Sequence, residues 1–235
     1  SSDPGEGDYK NTKGNTMGSW LLSINYHGKG WKARAYYDHY FEDHSGLFYK
    51  YMDYDGLYGL ELNIPNNSVV NNVVYEYVYT KYQSGSIYHD ETSTIPDKIG
   101  GQDNYYNHNL YAGWQHWGMA MGNPLFLSPL YKKLAFESNR FVAHHVGISG
   151  NPTQSLHYRM LFTFSKQFGT YLQPLEDIKY QRSFLAELTY SPERMFRRNM
   201  RGWSVGAAFA FDRGSYIGKN TGFQITLRRN GFFSL

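Results

Sequence analysis

Asp38-His39 and Asp43-His44 each set a carboxylate beside an imidazole. Such a pair can draw a proton from a water or a hydroxyl, which is the chemistry of a hydrolase with its site at the rim of a larger scaffold. Neighbouring Asp-His pairs also arise by chance, and no nucleophile accompanies these. His144 and His145 are adjacent. On a strand, adjacent side chains point to opposite faces, so these two cannot share one metal ion without a bulge. The chain has no Cys, which removes thiolate nucleophiles, disulfides and thiolate metal sites. The phosphate-loop, dinucleotide and Gly-x-Ser-x-Gly patterns are absent. The expectation is therefore no catalytic residue, no metal site and no cofactor.

A different chemistry is concentrated in residues 84–138, a stretch of 55 residues without strand-like alternation. It carries Tyr105, Tyr106, Trp114, His116, Trp117 and Lys132, with His89, His108, Tyr111 and Lys133 nearby. Sugars present flat CH faces and hydroxyls, so aromatic platforms next to amide and charged donors suit them. Anionic sugars add a demand for Lys and Arg. Loops beyond roughly 12–15 residues in compact proteins are usually functional or disordered. The competing expectation is that these rings pack the loop inward as a plug.

The rest of the chain must position that loop. Nine stretches alternate with a period of two, at about 17–27, 31–42, 57–64, 72–83, 139–149, 155–166, 180–190, 203–212 and 221–229. In 155–166, Leu156, Tyr158, Met160, Phe162 and Phe164 alternate with His157, Arg159, Thr163 and Ser165. One face of each clear stretch is aromatic-rich and nearly free of charge. The other carries Arg34, Asp38, Glu76, Arg159, Glu187 and Arg228. In 139–149 neither face declares itself. Most stretches have the roughly 9–11 residues that cross a bilayer when tilted, longer than the roughly 5–6 of a sandwich strand. Aromatic residues are 18% of the chain, with 23 Tyr, which suits aromatic girdles at two membrane interfaces. The mean hydropathy is negative, as expected when half of each strand faces water. These features predict an all-β, transmembrane antiparallel barrel of the bacterial outer membrane. Charged side chains on the inner face would then line a wet or plugged lumen. There Arg34 and Arg159 are candidate ligand contacts, with mutual salt bridging as the simpler role. The net charge of +3 is scattered apart from Arg194, Arg197, Arg198 and Arg201, so nucleic acid is not an expected partner.

With the aromatic C-terminal end taken as periplasmic, nearly all short connections fall inside and the longest fall outside, with 84–138 exterior. The first strand then starts outside, whereas complete bacterial barrels have an even strand count. The expectation is that residues 1–235 supply one part, the C-terminal half, of a larger barrel. Its other half is expected as a second chain or as a segment outside this one. A strand missed within 84–138 would instead give ten strands.

Gly113-Trp114-Gln115-His116-Trp117-Gly118-Met119-Ala120-Met121-Gly122-Asn123-Pro124-Leu125 resembles the C-terminal half of Wzi-type capsule-assembly proteins, especially those of Bacteroidetes. So does Asn139-Arg140-Phe141-Val142-Ala143-His144-His145-Val146-Gly147-Ile148-Ser149-Gly150-Asn151-Pro152, running into Tyr158–Ser165. The resemblance implies a barrel of about eighteen strands with a helical N-terminal plug, of which this chain would hold about half. It also implies a lectin-like surface role, attaching exported capsular polysaccharide to the cell, with extracellular polysaccharide and outer-membrane lipid as partners. The plug and the first half have no counterpart here. A diffusion porin is a third possibility, distinguished by an open lumen and no saturable glycan binding.

Overall fold

The computed structural model describes residues 17–42, 44–47, 54–107, 114–116, 118–128, 135–195 and 198–231. Nine long strands run in chain order through one antiparallel sheet. They are β1 Gly18–Gly28, β2 Trp31–Phe41, β3 Gly56–Asn63, β4 Asn72–Tyr79, β5 Phe141–Thr153, β6 Leu156–Gly169, β7 Pro174–Tyr190, β8 Trp203–Gly214 and β9 Asn220–Arg229. Each strand pairs with its neighbours in sequence, and among the described residues no pairing joins β1 to β9 and both outer strands keep an unpaired edge. Among the described residues, none of 84–138 joins this sheet. That stretch contributes only two-residue pairings, such as Tyr88–His89 with Ile99–Gly100. Among the described residues no helix is long and apolar enough to cross a membrane.

The register sorts the side chains into two unlike faces. Ile24, Ala35, Leu60, Tyr75, Val146, Phe162, Phe184, Phe211 and Thr221 follow one another through paired positions on one face. The opposite face carries Arg34 opposite Glu61, Glu76 opposite His145, Arg159 opposite Glu187, and Ser204 opposite Arg228. The ambiguous strand β5 is thereby resolved. Val142, His144, Val146 and Ile148 join the apolar face, and His145 joins the polar one. The apolar face is uncovered: Ile24 is 77% exposed and Phe223 68%. In a water-soluble sandwich that face would be the buried one.

Two strands are longer than alternation predicts. β7 begins at Pro174, not near 180, and β6 continues to Gly169, so the connection between them shrinks to four residues, 170–173. Glu176-Asp177 interrupts the hydrophobic alternation there, yet the backbone ladder continues, with Gln167 opposite Lys179 and Gly169 opposite Pro174. β4 is shorter than expected and stops at Tyr79. Its Thr80 hydroxyl turns to donate to the Asn139 carbonyl at 2.7 Å.

The buried hydrophobic core lies at one end of the sheet. Val78, Phe141 and Ala143 from the ends of β4 and β5 pack with Tyr105, Tyr106, Phe126 and Phe136 from the long connection, flanked by Tyr40 and Leu57. The strand positions in this cluster all belong to the polar face by register. Residues between β4 and β5 therefore fold back over the polar face at the long-connection end, forming a cap.

Candidate functional site: a capped polar wall

The cap is held by buried polar groups, each with a defined partner. The Asp55 carboxylate accepts the backbone N–H of Tyr82 at 3.0 Å and of Gln83 at 2.9 Å. Glu42 accepts the Tyr106 N–H on both oxygens, at 2.9 and 2.8 Å. Gln83 donates to the Asn139 carbonyl at 2.9 Å, and Asn139 donates to the Tyr105 carbonyl at 2.7 Å. A buried group left without such a partner costs far more than one bond is worth, so these residues fix one path for the loop. Burial, with the Glu42 carboxylate adding to it, pushes the Tyr106 phenol well above its ordinary range. Tyr216, in the connection from β8 to β9, is pushed up to about 12, chiefly by burial.

Below the cap, the polar face forms hydrogen-bonded rungs across strands. Tyr36 donates to Glu76 at 2.5 Å. A Cβ on the intervening Gly59 would overlap the Tyr36 ring, so the rung requires glycine there. Further along the same face, His145 Nδ1 and Thr163 Oγ1 lie 2.7 Å apart, and Ser183 donates to Asp212 at 2.6 Å. Asp38 sits between Tyr36 and Tyr40 on this face. Its Oδ1 is buried without a hydrogen-bond partner among the described residues. Sequence reading singled out Glu76 and Asp38 but not Tyr36 or Gly59. The signal available was parity, since Tyr36 shares a face with Arg34 and Asp38.

Of the eight residues expected to contact ligand, the six that are described do not form one site. Tyr105 and Tyr106 are corrected here as solvent-facing platforms. They are 2% and 3% exposed, stacked inside the cap, with Tyr106 centred 4.4 Å from Phe126 and 4.6 Å from Phe136. A ring enclosed on both faces has no surface left for a sugar, and the inward-packing alternative describes these two. Trp114 is half-buried at φ +52°, and its indole N–H donates to the Phe41 carbonyl at 3.3 Å. His116 is exposed beside it. Trp117 and Lys132 lie outside the described residues. Arg34 and Arg159 sit toward the short-turn end of the wall, away from the cap. Arg159 is paired with Glu187 at 2.5 Å, and Arg34 lies 4.8 Å from the Tyr36 ring centre.

His39 and Asp38 point to opposite faces of β2. Both His39 ring nitrogens contact backbone carbonyls, Asp55 at 2.8 Å and Gly46 at 2.9 Å, in a site with no exposure. That geometry is a strut for the rim connection. Asp43 and the side chain of His44 lie outside the described set. His144 and His145 separate to the two faces, His144 meeting the Tyr75 hydroxyl at 2.8 Å. Among the described residues, no three His, Asp or Glu side chains converge on a point that could hold a metal. Two grooves, of about 340 and 370 Å³, lie between turns at the short-connection end and contain none of the expected residues.

No family model, no curated protein and no solved structure matches this chain.

Proposed function

We propose that the chain is a wall of an outer-membrane β-barrel that presents its capped end to the exterior and holds extracellular polysaccharide there, in the manner of the Wzi-type capsule-assembly proteins it resembles. The observation that carries this reading is the inverted two-faced sheet. An uncovered, aromatic-rich face spans all nine strands, and away from its ends the strands carry their charges on the opposite, hydrogen-bonded face beneath a folded cap. Water does not tolerate so wide an apolar surface on a monomer, whereas lipid does. The two unpaired edges point the same way. Exposed long edges invite aggregation, and a barrel removes them by pairing with further strands.

Polysaccharide fits the capped end for two reasons. The wall offers charged and hydroxyl groups, such as the partly exposed Arg159 and Glu187, to a ligand rich in hydroxyls. The cap exposes His116 next to Trp114. With Tyr105 and Tyr106 committed to the cap core, recognition falls to the cap surface and the wall below it. A simple diffusion pore is the poorer reading, because the cap lies over the polar face that would have to conduct.

The test has two parts. The full chain, with whatever strands accompany it in the cell, should insert into liposomes with its strands protected from protease. Cells expressing it should retain capsular polysaccharide, and the Trp114→Ala, Trp117→Ala double variant should shed it. A chain that stays soluble without detergent ends the membrane reading. Insertion with unchanged retention in the double variant ends the glycan site.

A further inference from the structure

The apolar face carries charge only near its ends. Within the strands, its cationic positions at the capped end are Lys166 on β6, Arg182 on β7 and Arg213 on β8, with Glu176 farther out on β7 and Arg229 at the opposite end. Arg182 stands directly opposite Arg213, and Lys166 is one step diagonal to Arg182. Beyond the paired ends of β4 and β5, Lys81 and Arg140 extend the row, the Arg140 Nε donating to the Lys81 carbonyl at 3.0 Å. Five consecutive strands thus each bring one cation to the same rim, on the side away from the cap.

Each cation lies against an aromatic ring. Lys81 is 4.4 Å from the centre of Phe168, Arg140 is 3.8 Å from Tyr171, and Lys166 is 5.7 Å from Tyr180. Arg182 is 5.9 Å from Phe164, and Arg213 is 5.5 Å from Phe211. The rings hold the stems down along the wall and aim the charged heads in one band. Like charges directly opposite on a sheet destabilise it. Among the described residues no carboxylate forms an ion pair with any of the five; the ion pairs present are Lys98–Asp90 and Arg159–Glu187. The Asp55 carboxylate is buried and accepts the backbone N–H groups of Tyr82 and Gln83. A row of unneutralised cations just above an apolar band is arranged for an anion that belongs to the membrane itself.

The geometry points to a binding site for the phosphates of an acylated glycolipid of the lipid A type, docked on the outside of the wall with its chains along the apolar face and its phosphates on Lys166, Arg182 and Arg213. Charge complementarity selects phosphate, and continuity with the apolar face selects a ligand that carries acyl chains. This rests on the membrane reading and adds to it a leaflet and a lipid. It would also place the glycan-holding end level with the sugar layer of that leaflet.

The test uses the full protein in nonionic detergent and native mass spectrometry. The probes are bisphosphorylated lipid A, the same lipid A dephosphorylated, phosphatidylglycerol and inorganic phosphate. Bisphosphorylated lipid A should bind about tenfold more tightly than each of the others. Lys166→Gln with Arg182→Gln should weaken it by about 25-fold, since each cation near an anionic lipid surface contributes about fivefold. Arg182→Glu alone should weaken it as much or more. Arg228→Gln, on the polar face, should leave it unchanged. Equal binding of phosphorylated and dephosphorylated lipid A, or of phosphatidylglycerol, overturns the proposal. So does parent-like binding by the Lys166/Arg182 variant, or inorganic phosphate competing as a free anion. Failure to enter micelles at all is a different result, and removes the membrane reading together with this site.

Discussion

The cap and the wall arrange apolar and polar side chains in opposite order. The cap follows the rules of a water-soluble core. Phe126, Phe136 and Phe141 are buried together, and Glu42, Asp55, Gln83 and Asn139, drawn in with them, each bond to backbone of the cap or its base. The wall reverses the order, with its aromatic residues uncovered on one side and its charges on the other. Phe141 belongs to both. It opens β5 on the polar face, yet it is fully buried because the cap closes over it. Whether a polar-face position is wet or dry therefore depends on its distance from the cap and not on residue type alone.

That contrast is most directly broken at its joint. Phe141→Ala removes the residue shared by cap and wall, and should cost about 3–5 kcal/mol of cap stability. Protease should then cut within 84–138 while β6 to β9 keep their ladder protected from hydrogen exchange. Simultaneous loss of both would show that cap and wall are one cooperative unit.

Ala207 and Ala208 sharpen the difference between the faces. They are consecutive on β8, alike in size, and opposed in direction. Ala207 lies between Leu188 and Ile225, and Ala208 between Glu187 and Gln224. Ala207→Arg should lower insertion stability by about 2–4 kcal/mol, the cost of Arg near a bilayer midplane. Ala208→Arg should change it little. Denaturant titration in liposomes reads both. Equal effects would mean that the apolar face does not meet lipid.

Most of the wall was legible from alternation, because a half-wet strand writes its two environments into alternate residues. The nine strands and the division of faces follow from that pattern. Legibility failed where the pattern has another source. β5 reads ambiguously because Phe141 and Ala143, on the polar face, are apolar in order to pack against the cap. The extension of β7 through Glu176-Asp177 is carried by backbone pairing, which leaves no hydrophobic trace. In the cap, Tyr105 and Tyr106 have the composition of a sugar platform and the position of a core. Long-range contacts distinguish the two, such as the bond from the Tyr106 backbone N–H to Glu42 and the packing of Tyr106 between Phe126 and Phe136.

Alkaline pH should separate the regions with a smaller effect. The Tyr106 phenol is raised by burial and by Glu42, and Tyr216 is raised to about 12, chiefly by burial. A phenol whose folded value exceeds its unfolded one favours folding while neutral. That stabilisation is fully present below about pH 10, the ordinary phenol value, and fades as pH rises through the folded values. Cleavage within 84–138 should therefore accelerate between pH 10 and 12 on approach to those values. A flat profile would mean that the cap opens without exposing either ring.

The smallest effect tests whether the wall is wet. Arg159 and Glu187 meet at 2.5 Å across β6 and β7, with side chains 49% and 34% exposed. Exposed pairs are worth about 0–1 kcal/mol, because water solvates both charges when the pair opens. Glu187→Gln should then shift the unfolding midpoint barely at all. Breaking a dry pair strands the other charge and costs about 3–5 kcal/mol. Exposure here belongs to the nine-stranded sheet with its edges open. In a barrel closed by further strands the same face could be filled or flooded. A near-zero effect of Glu187→Gln in the assembled protein therefore places water along the wall below the cap. A loss of several kcal/mol places packed protein there, and would move glycan binding entirely onto the cap surface.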